Sequence, residues 1–230
     1  MEAQRKSLTR LFVPICFETL FYMLSGMIDT LMLSSVSNQA VGAVGTANTY
    51  IGVFIIMFGV ISSGMVAVMT QNIGAGKPGV AYQARQLGLF FNAVIGVLIS
   101  VFMTIFSGKI LETVSIAPAL LEPVLTYLKI VGGACFLNAL IPIFSSYLRV
   151  FGYTKQSLFA SIIGNVINFL LNSVFLFVLN WGVMGVATAT VISRVINLIM
   201  VAAMGAVLIK AKNSPERESS RKILEQIIKI

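Results

Sequence analysis

Long stretches of this chain hold no charged residue, among them Gln86 to Gly108, Ile130 to Leu148 and Gln156 to Ser193. About 20 consecutive apolar residues cross the hydrocarbon core of a bilayer as a helix. A soluble core built from 230 residues could not hide runs of that length. The balance of residue types agrees, with 57% hydrophobic and 10% charged, where soluble domains carry about 25% charged residues. Backbone in hydrocarbon has to satisfy its own hydrogen bonds, so the spans are helices. A β-barrel would need short alternating segments, and these runs are long and apolar on every face.

Six spans are predicted: Leu11 to Leu33, Tyr50 to Met69, Leu87 to Phe106, Tyr127 to Tyr147, Leu158 to Leu179 and Val183 to Ile209. The fold class is therefore an all-α integral membrane bundle of six transmembrane helices. Residues 1–212 form the membrane lobe and 213–230 a cytoplasmic linker. In that tail Ile223, Leu224, Ile227 and Ile228 recur at helical spacing, as expected of a short amphipathic helix lying on the membrane or docking on further sequence. The basic residues before the first apolar run suggest a signal peptide, but the run continues past Glu18 to Leu33 with no small-residue cleavage site and reads as a retained helix.

The formal charge of +8 does not indicate nucleic acid, because the basic residues sit at the ends of apolar segments rather than in a stripe among exposed aromatics. Arg5, Lys6, Arg10, Lys77, Arg85, Arg149, Lys155, Lys210, Lys212, Arg217, Arg221, Lys222 and Lys229, 13 of the 16, fall on one side of the six-span topology. Cytoplasmic loops carry the excess of Lys and Arg, so both termini are expected in the cytoplasm and the protein in the plasma membrane. The sequence has no His, and Cys16 and Cys135 lie within apolar segments. Neither a zinc site nor a disulfide framework is expected. The short loops hold no nucleophile and base, so no enzyme is indicated. Gly74, Gly76 and Gly79 spell G-x-G-x-x-G, but they follow a membrane helix and include Pro78, which excludes a dinucleotide site.

Polar residues inside the spans are the candidate functional groups. A charge at mid-bilayer costs about 2.5 to 3.5 kcal/mol on insertion scales, so each needs a partner or an aqueous cavity. Glu18 and Asp29 lie eleven residues apart in span 1 and share a helical face with Tyr22 and Ser25. Glu18 can snorkel or pair with a nearby base, whereas no basic residue lies near Asp29 in the adjoining loop. Span 5 lines up Ser161, Asn165, Asn168 and Asn172, and span 6 lines up Thr190, Arg194 and Asn197. Interhelical hydrogen bonding accounts for any one of these. Together they offer the carboxylate, amide and hydroxyl oxygens that a small cation takes as ligands. Arg194 either neutralises Glu18 or binds an acidic substrate, and Asn165 belongs to the same charge and substrate network. Pro14 and Pro142 each remove a helical hydrogen bond and can bend their spans.

With these residues laid out, the chain resembles the MATE family of multidrug and toxic compound extrusion transporters. The matching segments are Pro14 with Gly26 to Ser34, Ala40 to Gly45, Gln71 to Lys77, Leu148 to Lys155 and Gly182 to Arg194, in order across nearly the whole chain. The resemblance implies twelve helices in two pseudo-twofold lobes, of which this sequence is similar to the N-terminal one. It implies that Asp29 is the coupling site for sodium or protons, with Asn168, Asn172, Thr190 and Tyr127 as the other cation-site positions and Pro14 as the bending hinge. Some members have a second acid where Asn172 stands here, which leaves the coupling ion open. By the same resemblance the substrates are organic, xenobiotic molecules exported as cations flow in. No cofactor is implied beyond that ion, and the partners are membrane lipid and either a C-terminal lobe or a second copy. Two other readings remain open: a lipid-linked oligosaccharide flippase of the same superfamily, and a non-transporting subunit or inactive fragment.

The charge bias generates a topology test. In a cysteine-free background, Lys77→Cys and Lys155→Cys should each be blocked only by reagents that reach the cytoplasm. Labelling of both from outside intact cells would reverse the orientation.

Overall fold

The computed structural model describes residues 27–113, 116–209 and 219–228, together with isolated helical positions at 13, 16, 17 and 20. Glu18, Pro14, Tyr22 and Ser25 lie outside the described residues. The described chain is helical, without a strand. Residues 27–34 are the end of the first helix, α1. Then follow α2 (Asn38–Gly74), α3 (Pro78–Thr113), α4 (Pro118–Tyr127), α5 (Cys135–Val150), α6 (Thr154–Ser173), α7 (Gly182–Leu208) and α8 (Ser220–Ile228). π-Helical turns at Leu128–Gly132 and Val174–Val178 extend α4 and α6. Four of these helices are long and apolar enough to cross a membrane, and α4 with α5 makes a fifth, broken span. Large apolar side chains such as Ile56, Leu98, Val178 and Val207 stand on the outer surface, where lipid replaces water.

The helices outrun the apolar segments that predict them. α2 has 37 residues, about 55 Å at 1.5 Å per residue, and starts twelve residues before Tyr50. The Ser37 hydroxyl explains this early start, accepting from the Ala40 amide at 3.3 Å as an N-cap. Two of the turns between helices are one device used twice. At the end of α2, Gly76 (φ +74) donates its amide to Ile73 and Lys77 donates to Asn72. At the end of α5, Gly152 (φ +89) donates to Arg149 and Tyr153 donates to Leu148. Both are Schellman motifs, which need the left-handed conformation that glycine adopts freely. Gly76 of the rejected nucleotide motif thus stops a helix.

Close packing holds the bundle where small residues let backbones approach. A Cβ on Gly96 would lie 2.9 Å from Ala139 Cβ and 3.0 Å from Phe136 Cα, so α3 can meet α5 there only as glycine. The fourth span bends by 43° between Gly132 and Cys135, and not at Pro142, which sits within the continuous α5. α3 repairs the break. Ser100 Oγ accepts the Phe136 amide at 3.0 Å and donates to Gly96 O at 2.8 Å, while Asn92 Nδ2 donates to Ala139 O at 3.0 Å. Freed backbone groups in a membrane helix need such replacements.

The buried core falls into two apolar clusters. One includes Phe58, Ile99, Met103, Tyr127 and Val186; the other includes Met65, Ala84, Ile143, Tyr147 and Val201. A polar belt separates them along the sequence of each long helix: Ser62 on α2, Asn92 on α3, Asn165 and Asn168 on α6, and Arg194 with Asn197 on α7.

The tail helix α8 packs against α2 and α3 of this lobe. Ile223 is fully buried in the second cluster, and Ile227 packs beside it. A Cβ on Gly64 would sit 2.7 Å from the Ile227 carbonyl oxygen. Gly64→Leu should therefore drive α8 off the lobe and speed amide hydrogen exchange at Ile223 to Ile227 by about tenfold or more, leaving the spans protected. Unchanged protection of α8 in that variant would show that it docks elsewhere.

Candidate functional site

Asp29 lies near the end of α1 and is half-buried. Across from it α6 presents Asn168 and Asn172, one turn apart on one face and both buried. Asn172 Nδ2 donates to Asp29 Oδ1 at 2.7 Å. The terminal amide atom of Asn168 nearest the acid is 2.9 Å from Asp29 Oδ1 and 3.1 Å from Oδ2. Electrostatics dictates which atom that is. A charged carboxylate with nothing between requires the nitrogen, which then donates to both oxygens; an oxygen can approach so closely only across a proton or a cation.

A second group of side chains abuts this one. Tyr127 is buried at the point where α4 passes into its π-helical turn, and its hydroxyl is within hydrogen-bonding reach of Thr190 on α7 and Asn48 on α2. Thr190 Oγ1 donates to Val186 O at 2.8 Å, which leaves its oxygen lone pairs for another group. Arg194 follows one turn along α7, close enough to act electrostatically on Asp29, Tyr127 and Cys135. Its Nη1 is buried without a hydrogen-bond partner.

The structure thus brings Asp29, Asn168 and Asn172 into direct contact, sets Tyr127 and Thr190 beside one another next to them, and holds Arg194 nearby. Asn165 is half-buried one turn before Asn168 and already has an interaction of its own. Glu18 and Pro14 lie outside the described residues. Sequence reading missed Asn48, because it placed residues 40–49 between spans, whereas they are the first turns of α2. Among the described residues no three His, Cys, Asp or Glu side chains converge as a transition-metal site would need. One carboxylate with amide and hydroxyl oxygens instead suits a hard monovalent cation or a proton.

Burying an acid and two amides among apolar membrane helices is costly and marks this group as a functional site rather than packing. The MatE family model matches residues 14–174, more than half of the chain, which therefore belongs to the MATE family of transporters. The chain is 36% identical over 197 residues to the uncharacterized transporter YisQ of Bacillus subtilis (strain 168), covering 84% of this chain and 43% of YisQ. It is 29% identical over 206 residues to the probable multidrug resistance protein NorM of Thermotoga maritima, covering 83% of this chain and 42% of that protein. In fold it matches the outward-facing structure of a multidrug resistance MATE family transporter of the MOP superfamily, with a TM-score of 0.86 at 22% identity, over 98% of this chain and 51% of that one. The chain spans about half the length of the relatives it matches, which makes it one six-helix lobe of that architecture.

Proposed function

We propose that this lobe couples the inward flow of sodium ions or protons to the export of organic, xenobiotic molecules across the cytoplasmic membrane, with both termini in the cytoplasm. The observation that carries the reading is the pair of asparagine amides closed on Asp29, at 2.7 Å from Asn172 and 2.9 Å from Asn168. Burial disfavours the charge on an acid, and amide donors offset that cost. Without a cation, both amides turn N–H groups toward the carboxylate. When a proton or sodium ion arrives the acid is neutralised, and Asn168 turns its oxygen inward to meet it. Thr190 and Tyr127 supply the neighbouring hydroxyls. Occupancy of Asp29 therefore changes the contacts between α1 and α6, and this change selects between two arrangements of the lobe.

Transport in this scheme needs a second six-helix lobe, supplied by further sequence, by a separate chain or by a second copy about a twofold axis. Rocking of the two lobes gives alternating access, and the organic substrate binds between them. Asp29 carries the exchange, so Asp29→Asn in the assembled transporter should abolish cation-dependent drug efflux while leaving membrane insertion intact. Asn172→Ala removes one hydrogen bond to the carboxylate but leaves the acid in place, and should weaken coupled efflux less than Asp29→Asn does. Efflux by Asp29→Asn at the wild-type rate and with the same cation dependence would remove the basis of the mechanism.

A further inference from the structure

Among the described residues Arg194 is the basic one that acts on Asp29, yet the hydrogen bonds to the carboxylate come from Asn172 and from the Asn168 position. A structural counter-ion would grip the acid directly, because a buried charge is costly unless paired and hydrogen-bonded. Here one guanidinium nitrogen, Nη1, is buried without a partner. The residue sits in the polar belt between the two apolar clusters, one helical turn from Thr190. Its charge is thus held near the acid, and the oxygens of Asp29 are left to exchangeable amides.

An arginine in that position has two electrostatic effects. It offsets the charge of the ionised Asp29 carboxylate when no cation is bound. It also repels any cation that enters, because the same field opposes the arriving positive charge. We propose that Arg194 sets the cation affinity of the Asp29 site, acting as a fixed internal competitor that keeps a bound sodium ion weak enough to be released. The inference rests on the reading of Asp29 as the cation site. Arg194 is a positioning residue in this sense: it works through the field at Asp29 and does not ligate the ion.

The test measures the sodium concentration that half-saturates the thermal stabilisation of the purified protein in detergent at fixed pH and ionic strength. Arg194→Gln removes the charge and should lower that concentration by about tenfold or more, about 1.4 kcal/mol per tenfold step. Arg194→Lys keeps the charge and should stay near wild type, an outcome that loss of packing alone would not produce. Asn138→Asp provides a second route. Asn138 is hydrogen-bonded to Cys135, which lies in the field of the same guanidinium. A carboxylate there should partly neutralise Arg194 and shift sodium affinity in the same direction. Unchanged or weaker sodium binding in Arg194→Gln or, should that variant not survive purification, in Asn138→Asp would overturn the proposal while leaving the Asp29 reading intact. The double variant Asp29→Asn/Arg194→Gln separates the two failures: if sodium still stabilises it with the tightened affinity, the ion does not bind at Asp29 and both fall.

Discussion

Hydrocarbon cannot solvate a carboxylate, and the 2.7 Å hydrogen bond from Asn172 to Asp29 is where this lobe supplies its own substitute for water. The bond joins the first span to the fifth across 143 residues of sequence. The rest of the bundle keeps it in place. α7 is packed tightly on α6, since a Cβ on Gly164 would lie 3.0 Å from Asn197 Nδ2. That packing carries Thr190 and Arg194 to the same centre. α4 delivers Tyr127 at the start of its π-helical turn, and α3 holds the bend behind it through Ser100 and Asn92.

The bend itself illustrates how polar groups are used in this lobe. π-Helical turns and broken helices leave backbone groups without partners, and in a membrane those groups must be met by side chains. Ser100 meets one of them, the Phe136 amide, in the fourth span, and Asn92 ties α5 to α3 one turn further on. Polar residues in the interior therefore divide into two kinds. Ser100 is satisfied and structural. Asn172 Oδ1, Asn197 Oδ1 and Arg194 Nη1 each lie buried with a hydrogen-bonding capacity that the protein leaves unused. Arg85 Nε, Asn92 Oδ1 and Asn138 Nδ2 on α3 and α5 share that property, and Asn172 and Arg194 are the two that bear on the acid.

Much of the site is legible in the amino-acid sequence for a simple reason: in lipid, a charged or amide side chain is costly enough to stand out. Asp29, Asn168, Asn172 and Thr190 are conspicuous as polar residues within apolar runs, Tyr127 follows from the family resemblance, and the fold gathers all five at one centre. Apolar runs mark the spans, but helix ends follow hydrogen bonding rather than hydropathy. The cap at Ser37 and the proline start of α4 at Pro118 therefore lie outside the predicted limits. Proline suggests a bend at Pro142, whereas the span bends between Gly132 and Cys135, where Gly132 packs against Met103 and Gly133 against Thr104. The docking of α8 is hidden for another reason. Its apolar face is plain, but its receptor is the absence of a side chain at Gly64, and nothing in the pattern of one helix reveals a gap in another.

The most direct test of Asp29 as the coupling acid is infrared difference spectroscopy of the purified protein, comparing wild type with Asp29→Asn as sodium is added at fixed pH and as pH is lowered without sodium. If the acid holds the coupling ion, one of the two titrations shifts or removes a carboxylate band in the wild type, with a matching change in an asparagine amide band, and the variant lacks both. Identical difference spectra from wild type and Asp29→Asn in both titrations would contradict the assignment.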